Sequence, residues 1–373
     1  MKNKAMLMSL LGALLALTSC RDLTLPPVFY TLEKEQPLED DRAFPDIATV
    51  HRIVKVGGAG GRYFAAASKL YTRTDGPSEN WTVVSPPVPG AMCNTLEVFG
   101  AFIYAGFFLS SSGDGIGLWS ADPTILPIVW YQEPDPDVKG VEIVMIRTVG
   151  AGALLFVSTR SSNANALFYN NGLNFDPINW GATPPPTDIP ITDVIIDTEA
   201  SPSHWVIVGP YLYRNALAVL PGTFDRYSGT PSAIRTFGGL FETGGTVYVS
   251  SDNGQLFSTP DGGTSWAKTP SAILDDTDDP IPFASFTLPA SDALAVYVGT
   301  RGNGYYRIPG GDVTGSSGTP VRSPAYNISA LYNGAINCLL YDAGQSRLFL
   351  GTAGSGLWRG DHVSGSEWLW KQE

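Results

Sequence analysis

One short pattern recurs seven times between residue 49 and the C-terminus, and it limits the folds open to this 373-residue chain more than any other feature. Its clearest copy is Thr246 to Trp266, TVYVSSDNGQLFSTPDGGTSW. VYVSS alternates its side chains between two faces as a strand does, Asn253-Gly254 is a tight-turn pair, and QLFST follows as a second strand. Pro260-Asp261-Gly262-Gly263 is strong turn chemistry, after which Ser265-Trp266 starts another strand. Aligned on the middle strand, the seven copies place Phe64, Tyr104, Phe156, Ile207, Tyr248, Tyr297 and Phe349 in one column. Two residues later stands a small residue each time: Ala66, Gly106, Ser158, Gly209, Ser250, Gly299 and Gly351. The next strand carries Tyr71, Trp119, Phe168, Tyr213, Phe257, Tyr306 and Trp358, with Leu before all but Tyr306. Eleven residues ahead of the first column lie Ile53, Cys93, Met145, Ile196, Phe237, Phe286 and Cys338, all apolar.

Residues 53 and 338 are six repeats apart, so the mean period is about 47 residues. Three strands with room for a fourth at that period predict propeller blades and exclude the much shorter coils of a β-helix. A lone twisted sheet of this size covers neither of its faces. Stacking it between two neighbours covers both, and closing the ring protects the edges. The expected fold is therefore all-β, a single seven-bladed β-propeller over residues 49–373 with four antiparallel strands per blade. Fourth strands are expected at Trp81, Trp130, Trp180, Phe224, Trp266 and Trp368, and in the sixth copy at PVRSP near Pro320. Because the repeats run in phase, each blade should come from contiguous chain, with no segment ahead of residue 48 completing the last one.

The N-terminus carries a different message. MKNK is followed by an apolar run, Ala5 to Leu17, long enough for a signal-peptide core and short for a membrane span. The run ends in Leu17-Thr18-Ser19-Cys20, which resembles the lipobox of bacterial lipoproteins. The resemblance implies a signal peptide over residues 1–19 and a diacylglycerol on Cys20, which would anchor the chain in a membrane. Arg21 stands where the inner-membrane retention signal of enteric bacteria has Asp, so the outer membrane is the expected address, periplasmic or surface-exposed. Residues 20–48 contain prolines and many charges with no repeat match, and read as a tether.

Charged residues make up only 16% of the chain beside 41 Gly and 29 Pro, as suits a turn-rich β protein. The net charge of −12, without a basic cluster, argues against nucleic acid and anionic lipid as partners. A monomer is expected.

Thr259, Asp261, Gly263 and Trp266 match the Asp-box S/T-x-D-x-G-x-x-W. Asp75-Gly76 with Trp81, and Ser120-Ala121-Asp122 with Trp130, look like degenerate copies. The motif occurs in sialidases, the sortilin family, xyloglucan-cleaving glycosidases and photosystem II assembly factors, so the resemblance implies a propeller of this type and no particular activity. In such a turn the aspartate accepts backbone N–H groups and the tryptophan packs between blades. Tyr306-Arg307-Ile308-Pro309 resembles the sialidase tetrapeptide that supplies a carboxylate-binding arginine. It stands in the sixth repeat, however, where sialidases have it in the first. Arg73, Arg214, Arg307 and Arg359 all follow the third-strand aromatic by one or two residues, which favours a structural role.

Cys93 and Cys338 fall at what the alignment makes the same inner-strand position, in blades two and seven with blade one between them, and are expected to be separate buried thiols. His51, His204 and His362 share no metal-ligand spacing, and Gly57 to Gly61 has no helix behind it to bind phosphate. No catalytic residue can be named from a motif, and no cofactor is called for.

Propellers bind ligands on the face made by blade connections and second-to-third-strand turns. Here that face should include Pro134 to Asp137, Pro184 to Asp188, Asp275 to Asp279 and Gly310 to Ala335. Asp275, Asp276, Asp278 and Asp279 are a candidate Ca²⁺ site, with a solvated loop the preferred reading. The expected function is non-catalytic binding of a protein or glycan on that face. The alternative is a glycoside hydrolase with two carboxylates over the central channel, for which Asp114, Asp135, Asp193 and Asp276 are the first candidates.

Overall fold

The computed structural model describes Phe44 and residues 49–373, apart from several short stretches and residues 230–236, 269–282, 288–294, 310–320 and 323–330. These residues belong to one compact unit, 43–373. Cys20, Asp275, Asp276, Asp278 and Asp279 lie outside the described residues. Among the described residues no helix is long and apolar enough to cross a membrane.

Strands β1 (Arg52–Val56), β2 (Arg62–Ala66), β3 (Leu70–Thr74) and β4 (Thr82–Val84) form the first sheet. The second comprises β5 (Ala91–Phe99), β6 (Phe102–Leu109), β7 (Gly115–Ala121) and β8 (Tyr131–Gln132). In the third are β9 (Glu142–Val149), β10 (Leu154–Ser161), β11 (Ala164–Asn170) and β12 (Phe175–Pro177). After β13 (Asn179–Trp180), the fourth continues with β14 (Ile191–Ile196), β15 (His204–Val208), β16 (Tyr211–Asn215) and β17 (Thr223–Arg226). The fifth holds β18 (Phe237–Thr243), β19 (Thr246–Ser251), β20 (Leu256–Thr259) and β21 (Ala267–Lys268). The sixth holds β22 (Phe283–Thr287), β23 (Ala295–Thr300), β24 (Tyr305–Pro309) and β25 (Val321–Arg322). The last holds β26 (Ile336–Asp342), β27 (Arg347–Thr352), β28 (Leu357–Ser364) and β29 (Glu367–Gln372).

The first strands of successive sheets pack side by side in chain order, and β26 returns to β1. The chain is thus an all-β propeller built mainly of four-stranded antiparallel blades. Side-chain alternation explains the stacking. Along β2, Phe64 and Ala66 face the second sheet beside Cys93, Leu96 and Ile103, while Tyr63 and Ala65 face the last sheet beside Phe349 and Leu357. Each buried aromatic contributes about 1.5–3 kcal/mol over its exposed state, and both faces of the first sheet are covered. The recurrent small residue has an equally local cause. A Cβ on Gly106 would sit 2.7 Å from that of Ile143, and one on Gly351 would sit 2.4 Å from Cys338 Sγ.

Among the described residues six sheets have four antiparallel strands; the fourth does not, and the expectation of seven equivalent blades is corrected there. β13 pairs in parallel with β17, Asn179 beside Thr223 and Trp180 beside Phe224, which gives that sheet a fifth strand. The third sheet takes its fourth strand from β12 instead of Trp180. The cause is visible in how the tryptophans are satisfied. Trp81 donates to Glu373 Oε2 at 2.9 Å, Trp130 to Ser85 O at 3.0 Å, Trp266 to Tyr227 Oη at 3.3 Å and Trp368 to Tyr297 Oη at 3.1 Å. Each of these indoles reaches back to the sheet before it. Trp180 instead packs forward, edge-on against Tyr213 at 5.0 Å and Phe224 at 6.0 Å. Phe224 and the PVRSP segment do supply fourth strands, β17 and β25.

The column of inner-strand apolar residues is also corrected. A register shift interrupts most first strands, as between Cys93 and Thr95 and between Ile336 and Cys338. Cys338 pairs with Gly351 as Thr95 pairs with Gly106, whereas Cys93 pairs with Phe107 as Ile336 pairs with Thr352. The two cysteines therefore stand one ladder position apart. Both are free and buried.

Contiguous strands make the last sheet, and it is fixed to the first by charge. Glu373 accepts from Arg73 and, at 2.9 Å, from Arg359. Lys55 bridges Asp75 at 2.8 Å and Asp342 at 2.7 Å, and Asp342 also accepts from the Tyr63 hydroxyl. Phe44, expected in the tether, is buried against Tyr71 and Trp81 at ring distances of 4.5 and 5.5 Å.

Candidate functional site

The antiparallel order fixes the two ends of the ring. Blade connections and second-to-third-strand turns share one end, and first-to-second and third-to-fourth turns share the other. Two cavities concern function: the central channel, and a cleft at the connection end of the fourth sheet.

The channel is lined by the first strands and encloses a cavity of about 200 Å³ bordered by Arg52, Arg147, Asp193, Glu242 and Asn337. Arg52 Nη2 lies 2.6 Å from Glu97, and Arg147 Nε lies 2.8 Å from Asp193 Oδ1. Asp193 Oδ2 accepts the Leu240 amide at 2.8 Å. Burial alone would lower the Arg147 pKa, but Asp193 and Glu97 outweigh it and raise the value. Of the residues nominated for carboxylate catalysis, only Asp193 lies here. Asp114 is exposed in the turn after β6. Asp135 accepts the Asp137 amide at 3.0 Å and the Phe175 amide at 3.2 Å, tying the second sheet to the third. Asp276 lies outside the described residues. Glu97 and Glu242 line or support the channel unpredicted; their sequence signal was their place in strands whose neighbours are apolar.

The cleft has a volume of about 390 Å³ and is lined by Thr183, Pro210, Tyr211, Leu212, Arg226, Tyr227 and Ser228. Pro210 belongs to the second-to-third-strand turn and Thr183 to the connection between the third and fourth sheets. The added strand brings them together. With Trp180 on the edge of β17 and the Gly181 amide donating to Phe224 O at 2.9 Å, the connection emerges beside Arg226. The Arg226 guanidinium stacks over Tyr211, 4.0 Å from the ring centroid. Among the described residues no carboxylate pairs with it. Asp225 points to the other face of the strand, where a Cβ on Gly181 would lie 1.9 Å from its Oδ1.

At the Thr259–Trp266 turn, Asp261 accepts the Ser265 amide at 2.8 Å, the Ser265 hydroxyl at 2.5 Å and the Thr259 hydroxyl at 2.9 Å. These hydrogen bonds hold its carboxyl below the usual range. Gly263 donates to Thr259 Oγ1 at 2.6 Å, and Trp266 meets Trp205 of the preceding sheet edge-on at 6.1 Å. Asp122 accepts from the Thr124 amide at 2.8 Å, a turn of its own. Asp75 departs from the expectation: its buried carboxylate takes Lys55 and, at 3.4 Å, Arg347 from across the ring seam.

Three of the four third-strand arginines make contacts within the fold. Arg73 and Arg359 hold Glu373, and Arg214 donates to Ser203 Oγ at 3.1 Å while stacking over Trp205. His204 is buried between Phe156 and Phe224. Among the described residues no group of three His, Cys, Asp or Glu is placed to hold a metal ion.

Neither a protein-family model nor any curated protein matches the sequence. Solved structures do match, and they are β-propellers. The extracellular domain of BT4673 from B. thetaiotaomicron superposes with a TM-score of 0.58 at 16% identity, over 83% of this chain and 38% of that one. YCF48 bound to D1 peptide gives 0.56 at 12% identity, covering 84% and 93%. An ancestral GH74 enzyme gives 0.60 at 13% identity, covering 90% and 47%. The chain thus spans well under half of the BT4673 domain and about half of the GH74 enzyme. At these identities the likeness is one of fold.

Proposed function

We propose that this chain is a lipid-anchored protein of the bacterial cell envelope, a seven-bladed propeller with one Asp-box turn at Thr259–Trp266, that binds a protein or glycan without turning it over. Anchoring rests on Leu17-Thr18-Ser19-Cys20 after the apolar run, and Arg21 favours the outer membrane. Labelling cells with a radioactive fatty acid tests it: label on the wild type and none on Cys20→Ser is expected.

The observation that carries the non-catalytic reading is the state of the channel carboxylates. A glycosidase needs one carboxyl group held protonated beside another. Glu97 takes Arg52 on one oxygen and the Val98 amide on the other, and Asp193 takes Arg147 and the Leu240 amide in the same way, so the oxygens of both are already engaged within the fold. Binding is assigned to the connection end, where the Tyr211 cleft opens. Immobilised full-length chain should retain a ligand from envelope extract or a glycan array and release it unaltered. Release of a cleaved product would defeat the proposal.

A further inference from the structure

We infer that the Tyr211–Arg226 cleft is a subsite for an acidic saccharide, with the guanidinium of Arg226 receiving a sugar carboxylate. The inference deepens the binding reading above and depends on it. Three observations converge on the cleft. First, Arg226 presents its planar fork without a carboxylate partner among the described residues, in a chain with 35 acidic and 23 basic side chains. Arg52, Arg73, Arg147, Arg347 and Arg359 are all paired. Second, stacking on Tyr211 fixes the guanidinium plane, so its in-plane N–H groups are set for two parallel bonds to a carboxylate. Third, the rest of the lining suits a sugar ring: Pro210 is apolar, and Thr183 and Ser228 bring hydroxyls. At about 390 Å³ the cleft lies within the range of small-ligand sites.

The test is an array of carboxylated glycans, namely oligogalacturonates, alginate oligomers and sialyllactose, set against their methyl esters and lactose, with the full chain in detergent. At least one carboxylated glycan should bind, and its methyl ester about tenfold or more weaker. Arg226→Gln and Tyr211→Ala should each cause a similar loss at unchanged Tm, and Arg226→Lys, which keeps the charge and loses the fork, a smaller one. Arg62→Gln, at the opposite end of the first sheet, should bind as wild type. No carboxylated glycan bound, or one bound equally by Arg226→Gln, overturns the inference. In that event capture of a neutral glycan or a protein leaves the general binding reading standing. Hydrolysis of a bound acidic glycan would do the reverse, sparing the cleft and sinking the non-catalytic reading.

Discussion

Arg73 on the third strand of the first sheet and Glu373 at the end of the last sheet form an ion pair whose side chains are 2% and 1% exposed. Burial, with Arg359 and Arg347 nearby, brings the Arg73 pKa down to about 10, so the guanidinium is charged at neutral pH and depends on its partner. Glu373→Ala strands that charge and should cost about 3–5 kcal/mol. Arg73→Met combined with Glu373→Leu should recover most of the loss. Urea unfolding of the single and double variants measures both, and an additive double variant would show that the pair does not act as a unit.

A second prediction concerns acid. Burial alone would raise the Asp342 pKa, but hydrogen bonds from Lys55 and Tyr63 outweigh it and hold it below the ordinary carboxylate value. A carboxylate with a depressed folded pKa gives stability that is present above its unfolded value and lost as pH falls through the folded one. Lys55 shifts the other way: burial lowers its pKa, its two carboxylate partners raise it further, and its contribution is lost only as pH rises through that raised value. The urea midpoint should therefore hold steady near neutrality and fall below about pH 4. Asp342→Asn should flatten the acid limb, and an unchanged limb would remove Asp342 from the account.

The thiols give a third. Burial pushes Cys93 up to about 12 and Cys338 up to about 11, so at pH 8 the thiolate fraction is on the order of one in a thousand or less. In a Cys20→Ser chain, Ellman's reagent should find no fast-reacting thiol in the native protein and two in denaturant. Finding none in denaturant would mean a disulfide.

Gly263 gives the fourth. Its φ is +94°, and a Cβ there would lie 2.6 Å from Tyr227 Oη and 2.9 Å from Trp205. Gly263→Ala should cost about 1–3 kcal/mol and shift tryptophan fluorescence, through backbone strain and displacement of the inter-sheet contact. Gly60→Ala is the control, because φ there is +75° but nothing lies within 4 Å of the added carbon. Its cost should stay near 1 kcal/mol. Equal costs would mean that the Trp205 contact absorbs the methyl freely.

Much of the fold was legible because burial on both faces imposes a repeat. The middle-strand column from Phe64 to Phe349, the small residues opposite the first strands, and the outer strands at Phe224 and PVRSP could be placed from apolar periodicity and turn chemistry alone. Trp180 was misplaced because an aromatic beside a two-residue strand is satisfied equally by the sheet before or after it. The inner register slipped for a similar reason. A bulge shifts the pairing by one residue without changing the apolar class of Cys93 or Cys338. Asp75 looked like a turn residue, yet its partners Lys55 and Arg347 come from the two ends of the repeat array, which local pattern cannot join. The cleft was legible only as a loop-rich face. Arg226 and Tyr211 are brought together by the pairing of β16 with β17, which no local pattern announces.

The account turns on whether the channel does chemistry. Incubating the full chain with a panel of fluorogenic glycosides, alongside Glu97→Gln and Asp193→Asn, decides this. Ion-paired carboxylates predict no release above blank for any of the three proteins. Turnover by the wild type that disappears in Asp193→Asn would make the channel an active site and contradict the binding role.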